Sequence, residues 1–216
     1  MTGTDPAHRP GAAHLADPVR PAPPDRPRRP AVLIGGAAGT GKSTLAAALA
    51  PRLGAALLDL DVATGPLTEV IARLTGRSDL SDPQLAALTR TPRYATLLAL
   101  AADNLRAGRP VVLVAPFTAE RTPRGWATVT ARLAAAAPVL VWLRLAPDRL
   151  VARLRSRAAT RDADKISDPA KFLSTVDPEP PAVPHLALDA ARPTADLVAD
   201  VLAHLAHPGF AIDGKA

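Results

Sequence analysis

The chain has 216 residues, 48% of them hydrophobic, which suffices for a single domain with one sizeable core. Its net charge of +6 gives little support to a nucleic-acid partner: residues 1–30 hold five Arg and three Asp, leaving +4 for residues 31–216, and no Lys/Arg block with interleaved aromatics occurs. With no cysteine there is no disulfide, thiol nucleophile or Cys-based metal site, and no apolar run approaches the ~18 residues of a membrane span, so a cytoplasmic protein without a membrane partner is expected.

Residues 1–30 contain eight of the 24 prolines and almost no large apolar side chains. Such a segment cannot bury enough surface to offset ordering, so it is read as a disordered Pro/Arg-rich tail ahead of a domain at 31–216. From Ala31 onward, apolar runs alternate with helical patterns, the signature of a parallel sheet flanked by helices. Strands are predicted at 31–35, 55–60, 110–115, 139–145 and 185–188. Helices are predicted at 42–53, 65–75, 81–89, 92–107, 123–136, 147–160, 168–175 and 193–206, with Pro51 in the last turn of the first and Gly54 as its stop.

Between the first strand and the first helix, Gly36-Ala37-Ala38-Gly39-Thr40-Gly41-Lys42-Ser43 fits the pattern G-x-x-x-x-G-K-[ST] without a mismatch, with Thr44 just inside the helix. Glycines let the backbone turn and approach an anion closely, so that N–H groups and the positive helix end point at a nucleotide's β-phosphate. Lys42 then reaches the β- and γ-phosphates, and Ser43 offers its hydroxyl to Mg²⁺. ATP and Mg²⁺ are the expected cofactors. The fold class is α/β: a three-layer P-loop NTPase fold with a five-stranded parallel sheet, helices on both faces and a helical lid at about 153–176.

Two acids, Asp59 and Asp61, follow the second strand, where an open parallel sheet binds its ligands. A carboxylate there can orient Mg²⁺-bound water or accept the proton of an attacking hydroxyl; it can also simply cap the next helix. The third and fourth strands end without an acid, and no Asn-Lys-x-Asp is present, which weighs against energy-coupling ATPases and GTPases. On the helix after the fourth strand, Arg149, Arg153, Arg157 and Arg161 recur every four residues along one face. Arg157 and Arg161 are candidates to meet charge developing on a transferring phosphoryl group, with a solvated basic face as the bland alternative. The five histidines show no metal-ligand spacing, Trp142 is assigned to the core, and Trp126 is left open.

In this order of parts the chain resembles the small P-loop kinases that phosphorylate metabolites: shikimate kinase, gluconate kinase and the nucleoside-monophosphate kinases. The likeness runs over most of residues 31–206, from Gly39-Thr40-Gly41-Lys42-Ser43-Thr44-Leu45-Ala46 through Leu53-Gly54 to Asp59-x-Asp61. It implies Asp59 for the metal side and Asp61 for the acceptor hydroxyl. Arg153 and Arg157 look like the start of the family's lid, the first lying along adenine and the second reaching the phosphates, and Asp189-Ala190-Ala191-Arg192-Pro193 resembles the loop beside adenine. Arg90, Arg93 and Tyr94 fall in the segment that lies over the acceptor in that architecture. Ala115-Pro116-Phe117 replaces both the segment typical of adenylate-type kinases and the glycine triplet of shikimate kinase. It resembles, together with Arg161-Asp162-x-x-Lys165, small kinases of high-GC bacteria similar to chloramphenicol phosphotransferase. Phe117 thus joins the substrate candidates. The expected activity is transfer of the γ-phosphoryl of ATP to a hydroxyl of a small molecule (metabolite, nucleoside or antibiotic) by a monomer or homodimer. A regulatory nucleotide-binding protein without an acceptor, and a polynucleotide-end or toxin-like kinase, stand as alternatives.

Overall fold

Successive side chains of a strand point to opposite faces, and in the first strand Ala31 and Leu33 enter one hydrophobic core while Val32 and Ile34 enter another. That alternation sets the architecture of the computed structural model, which describes residues 29–77, 82–134, 136–157, 167–175 and 179–207, the side chains of Arg157 and Thr175 excepted. The strands are β1 (Arg29–Gly36), β2 (Ala56–Asp59), β3 (Val111–Val114), β4 (Ala136–Arg144) and β5 (Leu186–Asp189). They form one sheet in the order β2-β3-β1-β4-β5, every pair parallel. Parallel strands need a crossover between them, so helices cover both faces and every strand delivers its carboxyl end to the same edge of the sheet.

One face carries α1 (Lys42–Leu53) and the last helix, α7 (Thr194–Ala206), which bury Leu45, Leu49, Leu197 and Val201 against it. The other carries α3 (Pro83–Arg106) and α4 (Pro123–Arg132), with α2 (Leu60–Leu74) adding Leu60 at its start. Leu33, Leu113 and Leu140 are fully enclosed here, each such side chain contributing about 1.5–3 kcal/mol. Helices α5 (Pro147–Arg157) and α6 (Pro169–Thr175) form a satellite cluster in which Leu150, Leu154 and Phe172 pack against Ala37 and Ala38.

Three element boundaries differ from the sequence reading, each for a physical reason. Helix α2 starts at Leu60 rather than 65, because Asp59 caps it by accepting from the Asp61 and Val62 amides. The helices expected at 81–89 and 92–107 are one 24-residue helix, α3, with Pro92 inside it; the ring lies on the exposed side, where water can reach the carbonyl it leaves unpaired. Helix α4 stops at Arg132, and Ala136, expected to be its last residue, instead pairs with Arg29, as Ala137 does with Pro30. Sheet pairing there outweighs alanine's helix propensity. The first strand therefore reaches two residues into the expected tail, whose residues 1–28 lie outside the described residues. So do 158–166, which hold Arg161 and the middle of the expected lid.

Candidate active site

The loop between β1 and α1 is shaped by backbone conformations that favour glycine. Gly36, Gly39 and Gly41 have φ of 132°, 83° and 94°. A Cβ on Gly36 would lie 2.6 Å from the carbonyl oxygen of Leu143, so the loop could not stay tucked against β4 with any other residue there. Thr40 closes the turn by donating through Oγ1 to the Ala37 carbonyl at 2.9 Å. No side chain caps α1 after Gly41, which leaves first-turn amides for an anion. Lys42 Nζ donates to the carbonyls of Gly36 at 2.9 Å and Ala37 at 2.7 Å, which holds the ammonium across the mouth of the loop.

Ser43, in the first turn of α1, donates through Oγ to Asp59 Oδ2 at 3.1 Å. The two oxygens of Asp59 thus divide their tasks: Oδ1 caps α2 at 2.9 Å from the Asp61 amide, and Oδ2 faces the phosphate loop. The capping alternative and the metal-side expectation are compatible on one carboxylate. Among the described residues no three His, Cys, Asp or Glu side chains converge to hold a metal ion. A divalent ion beside Ser43 and Asp59 would accordingly take most of its oxygens from nucleotide and water, as Mg²⁺ prefers.

Asp61, one residue into α2, points away from its cap and accepts from Arg93 Nη2 at 2.6 Å. Arg93 comes from α3 and also donates through Nε to Thr64 Oγ1 at 2.8 Å, so it is held at two points while Asp61 stays largely exposed. On the other side of the loop, Arg153 of α5 donates to the Thr40 carbonyl at 3.4 Å and the Ala190 carbonyl at 2.7 Å. It thereby ties α5 to the phosphate loop and to the turn after β5. These elements, with Thr44, Arg192 and Thr194, line a cleft of about 290 Å³. Arg192 pairs with Asp200, whose hydrogen bond and charge raise the guanidinium's pKa further above its ordinary value.

The remaining acceptor candidates are Phe117, Tyr94 and Arg90. Phe117 is fully buried and Tyr94 nearly so, their rings meeting edge-on at 5.9 Å. Tyr94 Oη accepts the Phe117 amide at 3.1 Å and so secures a residue held at φ 50°, the one non-glycine with positive φ among the described residues. Burial, reinforced by the Glu120 charge, pushes the Tyr94 pKa up to about 12. Arg90 turns toward α4, where it lies 4.3 Å from the centre of the Tyr94 ring and grips the buried Glu120 at 2.9 Å and 3.2 Å. Arg90, Tyr94 and Phe117 are thus joined in one cluster, and Arg90 and Tyr94 also line a cleft of about 370 Å³ beside α4. Trp142 is buried on β4, and a Cβ on Gly35 would stand 2.7 Å from its ring. Trp126 is partly buried against the same core. Arg157 ends α5, but its side chain, and all of Arg161, lie outside the described residues.

Thr64 and Glu120 were not anticipated from the sequence, and Ala190 was expected only as part of the loop that resembles the one beside adenine. Glu120 carried a weak signal, a lone acid in the loop six residues after β3; a backbone carbonyl carries none.

Solved structures resemble this fold over most of their length. A gluconokinase from Sinorhizobium meliloti is 22% identical at a TM-score of 0.56, covering 84% of this chain and 94% of its own. A sugar kinase from Janibacter sp. is 19% identical at 0.58, covering 85% and 98%, and the APS kinase of Mycobacterium tuberculosis, solved with AMPPNP and APS, is 19% identical at 0.57, covering 84% and 100%. Among curated proteins none matches. A family model described as AAA domain matches residues 32–172, a stretch that runs from β1 through the phosphate loop, both acids and α5 into α6. The chain therefore belongs to the AAA domain family, with a P-loop fold shared with small kinases.

Proposed function

We propose that this protein is an ATP-dependent kinase that transfers a phosphoryl group to a hydroxyl of a small molecule. The observation that carries the reading is the convergence, at one edge of the sheet, of three groups with separate tasks: Lys42 across the loop, Ser43 on Asp59, and Asp61 on Arg93. A kinase needs an acceptor end beyond the metal-side carboxylate, and the exposed Asp61 held by Arg93 supports one. The named activities of the solved neighbours, gluconokinase, sugar kinase and APS kinase, support the same class.

In this reading the loop amides and Lys42 hold the triphosphate in line. Mg²⁺, when bound, would neutralise charge on the β- and γ-phosphates. Ser43 and, through water, Asp59 are the residues that would hold it, and their 3.1 Å contact places both oxygens on one locus. Asp61 orients the acceptor hydroxyl and takes its proton, while Arg93 fixes the Asp61 rotamer and offers its remaining donors to the acceptor. Arg153 and Arg192 flank the base in the 290 Å³ cleft. Arg157 and Arg161 are assigned to the migrating phosphoryl group on their four-residue spacing in the sequence. The deciding experiment measures ADP release from MgATP against a panel of sugars, sugar acids, nucleosides and hydroxylated antibiotics. Acceptor-dependent release that vanishes without Mg²⁺ supports the proposal. Nucleotide binding with no acceptor stimulation anywhere in the panel would favour a regulatory nucleotide-binding protein.

A further inference from the structure

Three threonines are buried in the two helices that supply the acceptor end: Thr64 and Thr68 on α2 and Thr89 on α3, exposed by 4%, 6% and 2%. Each donates its hydroxyl to the carbonyl four residues back, Thr64 to Leu60 at 2.6 Å, Thr68 to Thr64 at 2.8 Å and Thr89 to Leu85 at 2.8 Å. A buried hydroxyl without a partner is costly, and bonding back onto the helix removes that cost. In this respect the three are equivalent. They differ in one contact: Thr64 Oγ1 also accepts from Arg93 Nε at 2.8 Å, whereas Thr68 and Thr89 make no further side-chain hydrogen bond among the described residues.

That contact has a fixed direction. With its hydrogen committed to the Leu60 carbonyl, the Thr64 oxygen has only lone pairs to offer, and a guanidinium offers only donors. The hold is two-pronged. Arg93 presents the Nε and Nη2 edge of its planar fork to α2, Nε on Thr64 and Nη2 on Asp61 at 2.6 Å, and these two residues stand three apart, side by side on one face of the helix. Either contact alone would let the guanidinium turn about it. Thr64 is buried and Asp61 largely exposed, so the fixed point is Thr64 and the group it steadies is the Asp61 carboxylate.

We infer that Thr64 is a positioning residue of the acceptor end: where α2 meets α3 it fixes the plane of Arg93, and through Arg93 the orientation of the carboxylate that takes the acceptor's proton. The inference rests on the role proposed for Asp61, but the hold on Arg93 is measurable without activity. Thr68 and Thr89 serve as internal controls, since they share the burial and the back-bond of Thr64 and lack its second contact.

The test compares Thr64→Val with Thr68→Val and Thr89→Val, each of which keeps the shape of the side chain and removes its oxygen. In proton–nitrogen correlation spectra the Arg93 Nε–Hε signal, assigned by its loss in Arg93→Lys, should be protected from water in the parent and in both controls. In Thr64→Val it should exchange at least about tenfold faster. In the ADP-release assay Thr64→Val should lower kcat/KM for the acceptor about tenfold with the KM for MgATP unchanged. Thr64→Ser should return both readouts to the parent's, and the controls should keep parental kinetics. Adding Thr64→Val to Arg93→Lys should cost nothing more, because a lysine cannot hold both partners. Rapid Nε–Hε exchange in the parent, or equal exchange in the parent and Thr64→Val, overturns the inference whatever the activity. So does a loss of transfer shared alike by all three valine variants, which would make Thr64 a packing residue only. If no acceptor stimulates the parent, the kinase reading falls by itself; a Thr64-dependent Nε–Hε signal then still supports the hold on Arg93, and a Thr64-independent one removes it.

Discussion

The two ends of the candidate site are made of different material. At the nucleotide end the chemistry is set by backbone: three glycines with positive φ, first-turn amides of α1, and an arginine whose contacts are the carbonyls of Thr40 and Ala190. At the acceptor end it is set by side chains from separate helices, Asp61 and Thr64 of α2 meeting Arg93 of α3. A phosphate is the same in every nucleotide, so a rigid backbone cradle suits it. An acceptor differs between enzymes, and side chains on separate helices can be exchanged without disturbing the sheet. The nucleotide end is therefore expected to tolerate little substitution, and the acceptor end to change activity without changing fold.

The sharpest way to break that contrast is at Lys42. Lys42→Ala removes a charge aimed at the developing anion and should lower turnover by about 10²–10³. It also removes the ammonium's bonds to the Gly36 and Ala37 carbonyls, so a small drop in melting temperature, with the fold kept, is expected beside the large loss of turnover. Unaltered turnover in an ADP-release assay would remove the phosphate-transfer role from the loop.

Asp61→Asn comes next. The amide keeps the shape and the Arg93 contact but loses the charge and the proton affinity, so transfer should fall by about 10² while MgATP still binds. Asp59→Asn should act at the other end: its amide oxygen can still cap α2, but the half-saturating Mg²⁺ concentration should rise. Titrating Mg²⁺ and acceptor separately in both variants distinguishes the two. Identical profiles would mean that the metal and acceptor ends are not divided between these carboxylates.

How much of this was legible in the residues follows the same division. The glycine loop, both acids and the alternation of strand and helix are local patterns, and all five strands and the helices on both faces were readable from them. What escaped depends on tertiary partners. Nothing near Pro92 announces that α3 runs straight through it, and nothing near Ala136 announces that Arg29 will pair with it. Phe117 and Tyr94 were read as acceptor candidates because of where they fall in the chain; the hydrogen bond that joins them across 23 residues was not legible there. The tie between Thr64 and Arg93 was hidden for the same reason, since it joins two helices across 29 residues.

A smaller effect probes the nucleotide end. Arg153→Ala deletes two hydrogen bonds to backbone carbonyls beside the cleft. Charge-assisted bonds of this kind contribute about 1.5–3 kcal/mol each at most, and partial replacement by water should leave about a tenfold rise in the KM for ATP with kcat little changed. An equal fall in kcat would instead place Arg153 at the transferring group.

The smallest effect tests whether Tyr94 belongs to the fold rather than to the acceptor. Tyr94→Phe keeps the edge-on ring contact but leaves the buried Phe117 amide without its acceptor, which should cost about 1–2 kcal/mol and lower the melting temperature by a few degrees, with turnover unaffected. The pH dependence gives a second handle. Because the folded state raises the phenol's pKa from 10.0 to about 12, the protonated form is favoured in the fold; the associated stability is complete below pH 10 and is lost as the pH climbs through about 12. Denaturant unfolding of the parent should therefore weaken across that alkaline window more steeply than unfolding of Tyr94→Phe, which has no phenol to ionise. Equal slopes in the two proteins, or a clear loss of turnover with stability intact, would return Tyr94 to the acceptor end.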